Sequence, residues 1–375
     1  MTRYTRQEVR QFRQLAQLMS RSIDATRSKA ALPAHAGAWE ILIKVASRNL
    51  ILPNLYPALK AKGLLGAIDP EIVKALEGFF ELNALRNGTL RQQQIEITEL
   101  LNAARIIPVW LKGATHLIDP EWKSSDRMML DLDFWIPDPE DQRTALSELK
   151  RAGYERMPEY DSDDPYGAMH HHFAPLIRQD RPAPLELHRN VVSEPFRSLL
   201  PDSRAFERTQ WMTWNGQRIG VLSPCDRAMQ AHIQCAEMES LFWLDPRFSS
   251  SLMKIGELQN RLAELNDDEL AASFMSPLRQ SPWVDFASEL FTLIERDFGG
   301  EFDFPTNQGS LKRKELKFTQ LKLRRREFVD RHPKLMYGVS MTKAAFHSIR
   351  SGSCGLPHEW PRKLSRHLER LRKLE

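Results

Sequence analysis

Cysteine is scarce in this sequence. The 375 residues include three cysteines, Cys225, Cys235 and Cys354, which lie far apart and form no CxxC pair. An odd number of cysteines at such spacing supports neither a disulfide framework nor a structural zinc site. We therefore expect a protein of a reducing compartment, the cytoplasm.

Long apolar runs are also missing. No stretch approaches the roughly 20 apolar residues that a helix needs to cross a bilayer, which excludes a transmembrane protein. The first residues, MTRYTRQEVRQFRQLAQ, carry the charges of a signal peptide, but no apolar segment follows them, and this argues against export. A composition with 42% hydrophobic and 27% charged residues is typical of a globular protein, and the length predicts two domains rather than one.

Acidic and basic residues are unevenly distributed. The formal net charge is +4, yet residues 311–375 hold 18 Lys and Arg against 6 Asp and Glu, or +12, which leaves −8 for residues 1–310. A basic tail on an acidic body suggests contact with a polyanion or with the body itself. The tail also spaces Leu364, Leu368 and Leu371 as one apolar stripe of a basic helix, which favours packing on the body.

Apolar periodicity predicts an α+β protein with a small mixed sheet, flanking helices, and helical N-terminal and C-terminal parts. The segment 71–105 is expected to form one long helix, or two helices joined at Asn87 and Gly88. Strand patterns follow at 106–111, 129–136, 171–177 and 184–191, and helical patterns return at 224–241, 250–265 and 284–297. The predicted parts are a helical N-terminal region (1–105), an α/β core (106–222), a helical domain (223–310) and a basic helical tail (311–375).

Two aspartates share one face of a predicted strand. The segment MLDLDFWI at 129–136 alternates, so that Leu130, Leu132, Phe134 and Ile136 face one side and Asp131, Asp133 and Trp135 the other. Two carboxylates about 7 Å apart along one face can share divalent cations. The alternative is that these aspartates form the solvent side of an edge strand.

A third carboxylate comes from the segment PLELHRNV, in which Glu186 lies opposite two core-facing leucines. Oxygen ligands in an open site suit Mg²⁺, with Mn²⁺ as the alternative ion. Two such ions about 3.5 to 4 Å apart could activate an attacking hydroxyl and neutralise leaving phosphates. We therefore expect Asp131, Asp133 and Glu186 to converge on a metal position, and at least one of these clustered carboxylates to have a raised pKa.

The order of these motifs is more specific than any one of them. VWLKGATHL at 109–117 is followed by Arg127, by DLDFWI, by a helix that ends in AGY, and by LELH at 185–188. This pattern resembles the uncharacterised bacterial nucleotidyltransferase family of the DNA polymerase beta-like superfamily. The resemblance covers about residues 80 to 245, and its flanking helices RNGTLRQQQIEITELLNAARIIPV and VLSPCDRAMQAHIQCA also fit.

The resemblance implies a nucleotidyltransferase sheet in which Asp131, Asp133 and Glu186 are catalytic and hold the metal. The nucleotide, with ATP among the triphosphates expected, would contact Lys112, Gly113, Ala114, Arg127 and His188. Gly113 would allow a tight turn near the triphosphate, and free N–H groups of the following helix would bind phosphate oxygens. Most superfamily members have Gly-Ser or Gly-Gly where this chain has Gly113 and Ala114, so the usual serine contact is missing.

Each of these residues also has a plain structural interpretation. Lys112 could be a surface lysine at a strand end, Arg127 part of an ordinary ion pair, and His188 a structural histidine. In the run His170–His172, adjacent side chains alternate and cannot all bind one ion, so we expect His170 and His172 to face the cleft. His232 is spaced among apolar helix positions and fits a core or cleft-lining residue.

Three functions are compatible with the sequence. The first is a Mg²⁺-dependent enzyme that moves a nucleoside monophosphate from a nucleoside triphosphate to a hydroxyl-type acceptor, in a small molecule, peptide or protein, and releases pyrophosphate. The second is a protein that modifies or binds nucleic acid through residues 311–375, although Phe318 and Phe328 are the only aromatic residues in 311–331 for base stacking. The third is a pseudoenzyme that binds nucleotide without catalysis.

Overall fold

The structure is a computed structural model, and it describes residues 6–20, 22–118, 127–164, 171–194, 196–242, 251–299, 302 and 304. The predicted basic tail at 311–375 and His170 lie outside the described residues. The described chain is a mixed α+β fold in which helices flank a seven-stranded sheet, as the sequence predicts.

Helices precede and follow the sheet in the chain. The α-helices are α1 (Arg6–Met19), α2 (Ala25–Ala30), α3 (Ala36–Arg48), α4 (Leu52–Ala61), α5 (Pro70–Ala103), α6 (Pro139–Arg151), α7 (Asp202–Glu207), α8 (Pro224–Phe242), α9 (Ser251–Leu262), α10 (Ser276–Arg279) and α11 (Val284–Phe298). A 3₁₀ helix covers Lys112–Leu117, and a π-helix at Glu269–Met275 leads directly into α10. Among the described residues, no helix is both long and apolar enough to cross a membrane.

The strands are short and the sheet is mixed. They are β1 (Val109–Trp110), β2 (Leu132–Trp135), β3 (Glu155–Arg156), β4 (Leu176–Ile177), β5 (Leu185–His188), β6 (Gln210–Trp214) and β7 (Gln217–Val221), in the spatial order β3-β4-β5-β2-β1-β7-β6. Two neighbouring pairs, β2 with β5 and β1 with β7, are parallel, and the others are antiparallel. The hairpin of β6 and β7 turns at Asn215 and Gly216, which both have the positive φ that a tight two-residue hairpin turn needs.

Local signals explain where the helices around the sheet begin and end. The carboxylate of Asp69 accepts the Glu71 N–H and starts α5, which continues through Gly88 as one helix of 34 residues. Asp138 caps α6 in the same way, and α6 ends before Gly153, whose φ of 87° suits glycine. The prediction of one or two helices over 71–105 is thus settled in favour of one.

Both faces of the sheet are covered. Trp110, Leu132 and Phe134 pack in one core cluster with residues of α5 and α6. Their neighbours Val109 and Trp135 point to the opposite face and belong to a second, larger cluster. That cluster joins the N-terminal helices α1, α3 and α4 to the C-terminal helices α8, α9 and α11. The side chains of Asp133 and Trp135 in β2, and those of Glu186 and His188 in β5, therefore point toward the second cluster and are largely buried.

Two strand predictions need correction. Leu130 does not join the apolar face of the strand, because β2 begins only at Leu132 and the Leu130 side chain is 50% exposed. The segment predicted as a strand at 171–177 forms a single bridge from His172 to His188 and the two-residue strand β4. Arg189 and Asn190 both donate their backbone N–H groups to the His171 carbonyl, so this segment follows β5 without a continuous ladder.

Candidate active site

Lys112 lies at the turn that follows β1. Its φ is 47°, a left-handed conformation that is uncommon for residues other than glycine and that recurs at functional sites. Its backbone N–H donates to Oε1 of Gln230 on α8 at 3.3 Å, and its Nζ donates to Oδ1 of Asp133 at 2.6 Å. The turn therefore directs the Lys112 side chain back across the sheet toward β2.

Asp133 and Glu186 are side by side in the sheet. The parallel register of β2 and β5 pairs Asp133 with Glu186 and Trp135 with His188, so all four side chains share one face. Ligand atoms of Asp133, Glu186 and His188 lie within 4.8 Å of one another. The two strands thus bring together two of the three predicted carboxylates and one predicted histidine.

Asp131 borders this group from the segment just before β2. It is not one of the three side chains that lie within 4.8 Å of one another among the described residues, but it is close enough to interact electrostatically with Asp133. Burial and repulsion from Asp133 raise the pKa of Asp131 to about 6, although Lys112, Arg127 and Lys254 oppose the rise. At neutral pH most Asp131 carboxylates are therefore charged at an energetic cost.

The other two carboxyl groups have opposite pKa shifts. Burial and repulsion from Asp133 hold the pKa of Glu186 well above its usual value. Burial would raise the pKa of Asp133 too, but the charge of Lys112 and the hydrogen bond from His188 outweigh it and lower that pKa. These shifts agree with the expectation that clustered carboxylates include at least one with a raised pKa. Asp133 is the fixed anion of the group, and Glu186 holds a proton most readily.

His188 is a fully buried partner of Asp133. Its Nε2 lies 2.8 Å from Oδ1 of Asp133, and its Nδ1 lies 3.3 Å from the Asn190 carbonyl oxygen. Burial and the nearby Lys112 charge lower the pKa of His188, so the imidazole is neutral near pH 7. A neutral imidazole that donates from Nε2 orients Asp133. His172 faces the same group, because its Nε2 lies 3.6 Å from Oε2 of Glu186.

Gly113 and Arg127 are in close contact. A Cβ atom on Gly113 would lie 3.0 Å from Cγ of Met129 and 3.4 Å from Cζ of Arg127, so only glycine leaves room for both side chains as they stand. The guanidinium group of Arg127 lies 3.1 Å from Glu257 on α9. Arg127 therefore forms a buried ion pair, and its charge also acts on Asp131.

Some backbone groups in the first turn of the 3₁₀ helix already form hydrogen bonds within the protein. The Ala114 N–H donates to the Leu111 carbonyl at 3.1 Å, and the Lys112 N–H is held by Gln230. The Ala114 carbonyl accepts from Nε2 of Gln94 on α5 at 3.1 Å. Two of the N–H groups near the turn are therefore engaged by the protein itself.

The charge of the group fits a divalent cation. Three carboxyl groups, those of Asp131, Asp133 and Glu186, surround the ammonium group of Lys112, whose pKa is raised because their attraction outweighs its burial. Arg127 and Lys254 add positive charge near Asp131. Carboxylate oxygens are the ligands that Mg²⁺ prefers in proteins. The raised pKa values of Asp131 and Glu186 are what an ion between the carboxylates would relieve.

Comparison with known proteins identifies the family of the chain. A family model described as an uncharacterised nucleotidyltransferase matches residues 35–295. The chain belongs to this family. The match extends from the start of α3 into α11, and so it includes β1 to β7 and every residue of the group around Asp133. No curated protein and no solved structure matches the chain significantly.

Several residues next to the carboxylates were not foreseen from the sequence. Gln230 receives the Lys112 N–H and donates Nε2 to the Val191 carbonyl at 3.2 Å, which ties α8 to the ends of both β1 and β5. Glu257 and Arg261 form a buried ion pair beside Arg127. Their i,i+4 spacing in the sequence is typical of an exposed helical pair, so no signal indicated that α9 buries them.

Proposed function

We propose that this protein is a Mg²⁺-dependent nucleotidyltransferase that moves a nucleoside monophosphate from a nucleoside triphosphate to a hydroxyl-type acceptor and releases pyrophosphate. The observation that carries the proposal is the convergence of Asp133, Glu186 and His188 beside Lys112, inside the part of the chain that matches a nucleotidyltransferase family. ATP is among the expected donors, and Mn²⁺ is the alternative ion. The acceptor is a small molecule, a peptide or a protein.

We also propose that the family belongs to the DNA polymerase beta-like superfamily. Two features support this placement: the order of LKG, Arg127, DLD and LELH in the sequence, and the parallel pairing that sets Glu186 next to Asp133. On this proposal Asp131, Asp133 and Glu186 hold the metal and are catalytic. Lys112, Gly113, Ala114, Arg127 and His188 line the nucleotide side.

Each residue of the site has a role in the proposed reaction that follows from its charge and its contacts. Divalent ions held by the carboxylates would neutralise the charge that develops on the phosphates. Lys112 adds a compact positive charge at the same place, and its anchorage by Gln230 fixes where that charge lies. His188 keeps one rotamer of Asp133 by donating to Oδ1. Arg127 stabilises negative charge on Asp131, because its positive charge opposes the rise of the Asp131 pKa.

The proposal is tested by transfer of label from nucleotide to acceptor. The purified protein is incubated with Mg²⁺, a cell extract and each ribonucleoside triphosphate in turn, labelled on the α-phosphate. We expect one nucleotide to label an acceptor, and we expect Glu186→Gln to reduce this labelling by about 100-fold or more. Glu186→Gln is well suited because it keeps the shape of a side chain whose pKa burial already raises and removes only its ability to carry charge. The matched control is Glu155→Gln on the exposed strand β3, which should label as wild type does.

Two outcomes of this experiment would contradict the proposal. Equal labelling by wild type and Glu186→Gln would remove the carboxylates from the reaction. Tight binding of a triphosphate with Mg²⁺, without any labelled product in extracts that contain the acceptor pool, would identify a nucleotide-binding pseudoenzyme. Labelled nucleic acid, sensitive to nuclease and not to protease, would instead identify the acceptor as nucleic acid.

A further inference from the structure

His172 lies next to the carboxylates but has no role in the transfer reaction proposed above. A β-bridge places it opposite His188, and the Phe173 N–H beside it donates to the Leu187 carbonyl at 2.9 Å. Side chains that lie opposite each other across such a bridge share one face of the sheet. The His172 side chain therefore points to the same face as His188 and Glu186, and the backbone holds it there.

A hydrogen bond to the backbone determines which nitrogen of His172 carries a proton. Its Nδ1 lies 2.6 Å from the Phe173 carbonyl oxygen, and a carbonyl oxygen can only accept, so Nδ1 is the donor. In the neutral ring, Nε2 then has a lone pair and no proton. Histidines that bind metals in proteins share this arrangement, because the second ring nitrogen donates to a carbonyl or a carboxylate and so fixes the tautomer and the orientation of the ring.

The distance between His172 and Glu186 suits a shared cation. Nε2 of His172 lies 3.6 Å from Oε2 of Glu186, which is longer than a hydrogen bond. Ligand atoms about 2.1 Å from one ion lie roughly 3 to 4 Å apart. The two side chains are 12% and 17% exposed, so an ion can reach these atoms from solvent. The pair thus has both the spacing and the access that a common metal ion needs.

His188 has a different role from His172, although both rings face the carboxylates. Its Nε2 donates to Oδ1 of Asp133 at 2.8 Å, and its side chain is fully buried. A nitrogen that carries this proton has no lone pair for a metal ion. His188 therefore orients Asp133, whereas His172 directs a nitrogen lone pair toward Glu186.

We propose that His172 is a nitrogen ligand of the metal ion held by Glu186, and that it makes this position select Mn²⁺ over Mg²⁺. Carboxylate oxygens suit both ions, but an imidazole nitrogen adds affinity for a transition-metal ion and little for Mg²⁺, which takes oxygen ligands and keeps its waters. The inference chooses between the two ions of the proposed function. That the ion serves nucleotidyl transfer rests on that function, whereas the binding of the ion by His172 does not.

The test measures Mn²⁺ binding to the full chain by electron paramagnetic resonance, without nucleotide. The pulsed method detects a nitrogen bound directly to Mn²⁺, and we expect this coupling in wild type and its loss in His172→Asn. The asparagine amide can take the place of Nδ1 and keep the hydrogen bond to the Phe173 carbonyl, so the substitution removes Nε2. His172→Asn should weaken Mn²⁺ binding by about tenfold or more, and it should weaken Mg²⁺ binding, measured by displacement of Mn²⁺, much less.

Two further variants serve as controls. His35→Asn makes the same change at the exposed N-cap of α3, where asparagine is also a good cap, and it should bind both ions as wild type does. His172→Gln places an amide oxygen near the position of Nε2, so it should keep Mg²⁺ binding and bind Mn²⁺ more weakly, without the nitrogen coupling. Thermal denaturation in EDTA verifies that each variant is folded.

The inference is wrong if wild type does not bind Mn²⁺, or binds it without a nitrogen coupling. A coupling and an affinity that persist in His172→Asn would assign the nitrogen to another residue and also overturn it. A lower melting temperature of His172→Asn with unchanged Mn²⁺ binding would show that His172 is only a structural partner of Glu186. Mn²⁺ binding that depends on His172, in a protein that labels no acceptor, would support the inference and contradict the proposed function alone.

Discussion

At the scale of single residues, the two aspartates of the DLD motif have different tasks in the folded protein. Asp133 is paired on one side with Lys112 and on the other with His188, and its pKa is lowered. Asp131 has a raised pKa and is held near other negative charges. The same alternation in sequence therefore produces one carboxylate that stabilises the fold and one that strains it.

This difference predicts opposite effects of the two conservative substitutions. Asp133→Asn removes the carboxylate that is hydrogen-bonded to the ammonium of Lys112 and leaves only Asp131 and Glu186 to balance its charge, so it should lower the free energy of unfolding by up to about 3 kcal/mol. Asp131→Asn removes a repelled charge and should leave stability unchanged or higher in the absence of metal. Both should reduce nucleotidyl transfer by orders of magnitude. Urea denaturation at pH 8 in EDTA measures the first effect, and the labelling assay the second.

A marked loss of stability in Asp131→Asn would contradict the raised pKa of that residue. Full transfer activity in a folded Asp131→Asn protein would remove Asp131 from the metal site and leave Asp133, Glu186 and His188 as its candidate ligands.

The raised pKa values also predict how pH and metal act together. An acid whose pKa is higher in the folded protein contributes stability at low pH and loses it as pH rises through the folded pKa, about 6 for Asp131. Without metal, wild type should therefore lose stability relative to Asp131→Asn as pH rises from about 4 to 7, a comparison that cancels the opposite trend of the buried histidines His116, His188 and His232, whose pKa values are lowered. Mg²⁺ binds the deprotonated carboxylates, so the stabilisation that it adds should grow over the same interval. Thermal denaturation with Mg²⁺ and with EDTA at each pH measures both trends, and a Mg²⁺ effect that is larger at pH 5 than at pH 8 would contradict them.

At the scale of elements, the sequence predicted most helices closely and the sheet only in part. The helix that the sequence ends at AGY is α6, and the proline and acidic residues at its start and Gly153 beyond its end are signals that act locally. The hairpin of β6 and β7 was missed, although Asn215 and Gly216 are a strong hairpin signal.

The strand at 171–177 was predicted too long because its pairing depends on β5, a separate segment of the sequence. Glu186 could be proposed as the third carboxylate because it alternates with buried leucines just as Asp133 does. Once β2 and β5 pair, both side chains point to the same face of the sheet.

The contact between the hairpin and β1 predicts that two glycine-to-alanine substitutions change the stability of the protein in opposite directions. A Cβ atom on Gly220 in β7 would lie 2.9 Å from Cγ2 of Val109 in β1 and 2.8 Å from Cγ2 of Thr209. Gly220→Ala should therefore separate β7 from the strand that leads into Lys112, and it should lower the free energy of unfolding by about 1 to 3 kcal/mol. Gly256→Ala, in α9 with open space around the new methyl group, should raise it by about 0.5 to 1 kcal/mol.

Equal effects of these two substitutions in urea denaturation would show that β7 does not need the close approach to β1. A loss of transfer activity in Gly220→Ala, measured in protein that is still folded, would further show that the position of β1 controls that of Lys112.

At the scale of the whole molecule, one core links segments that the sequence divides. Residues from α1, α3 and α4 pack in the same cluster as residues from α8, α9 and α11, around the sheet face that carries Asp133. The boundaries at 105 and 222 stay predictions, because periodicity marks a change of element and does not show which helices share a core.

The basic tail at 311–375 lies outside the described residues, and its role is a prediction from charge and apolar spacing alone. If the tail packs on the acidic body, deleting residues 311–375 should lower the melting temperature, while the affinity for nucleoside triphosphates stays unchanged. If the tail engages nucleic acid, the full chain should bind a nucleic-acid probe with an affinity that falls steeply between about 50 and 200 mM salt, and the deletion should abolish that binding. We expect the packed tail, because Leu364, Leu368 and Leu371 would otherwise expose an apolar stripe. Thermal denaturation and mobility-shift measurements on the full chain and on the deletion variant distinguish these two roles of the tail. A nucleic-acid probe that the full chain shifts at about 150 mM salt, and the deletion variant does not, would favour nucleic acid as the partner.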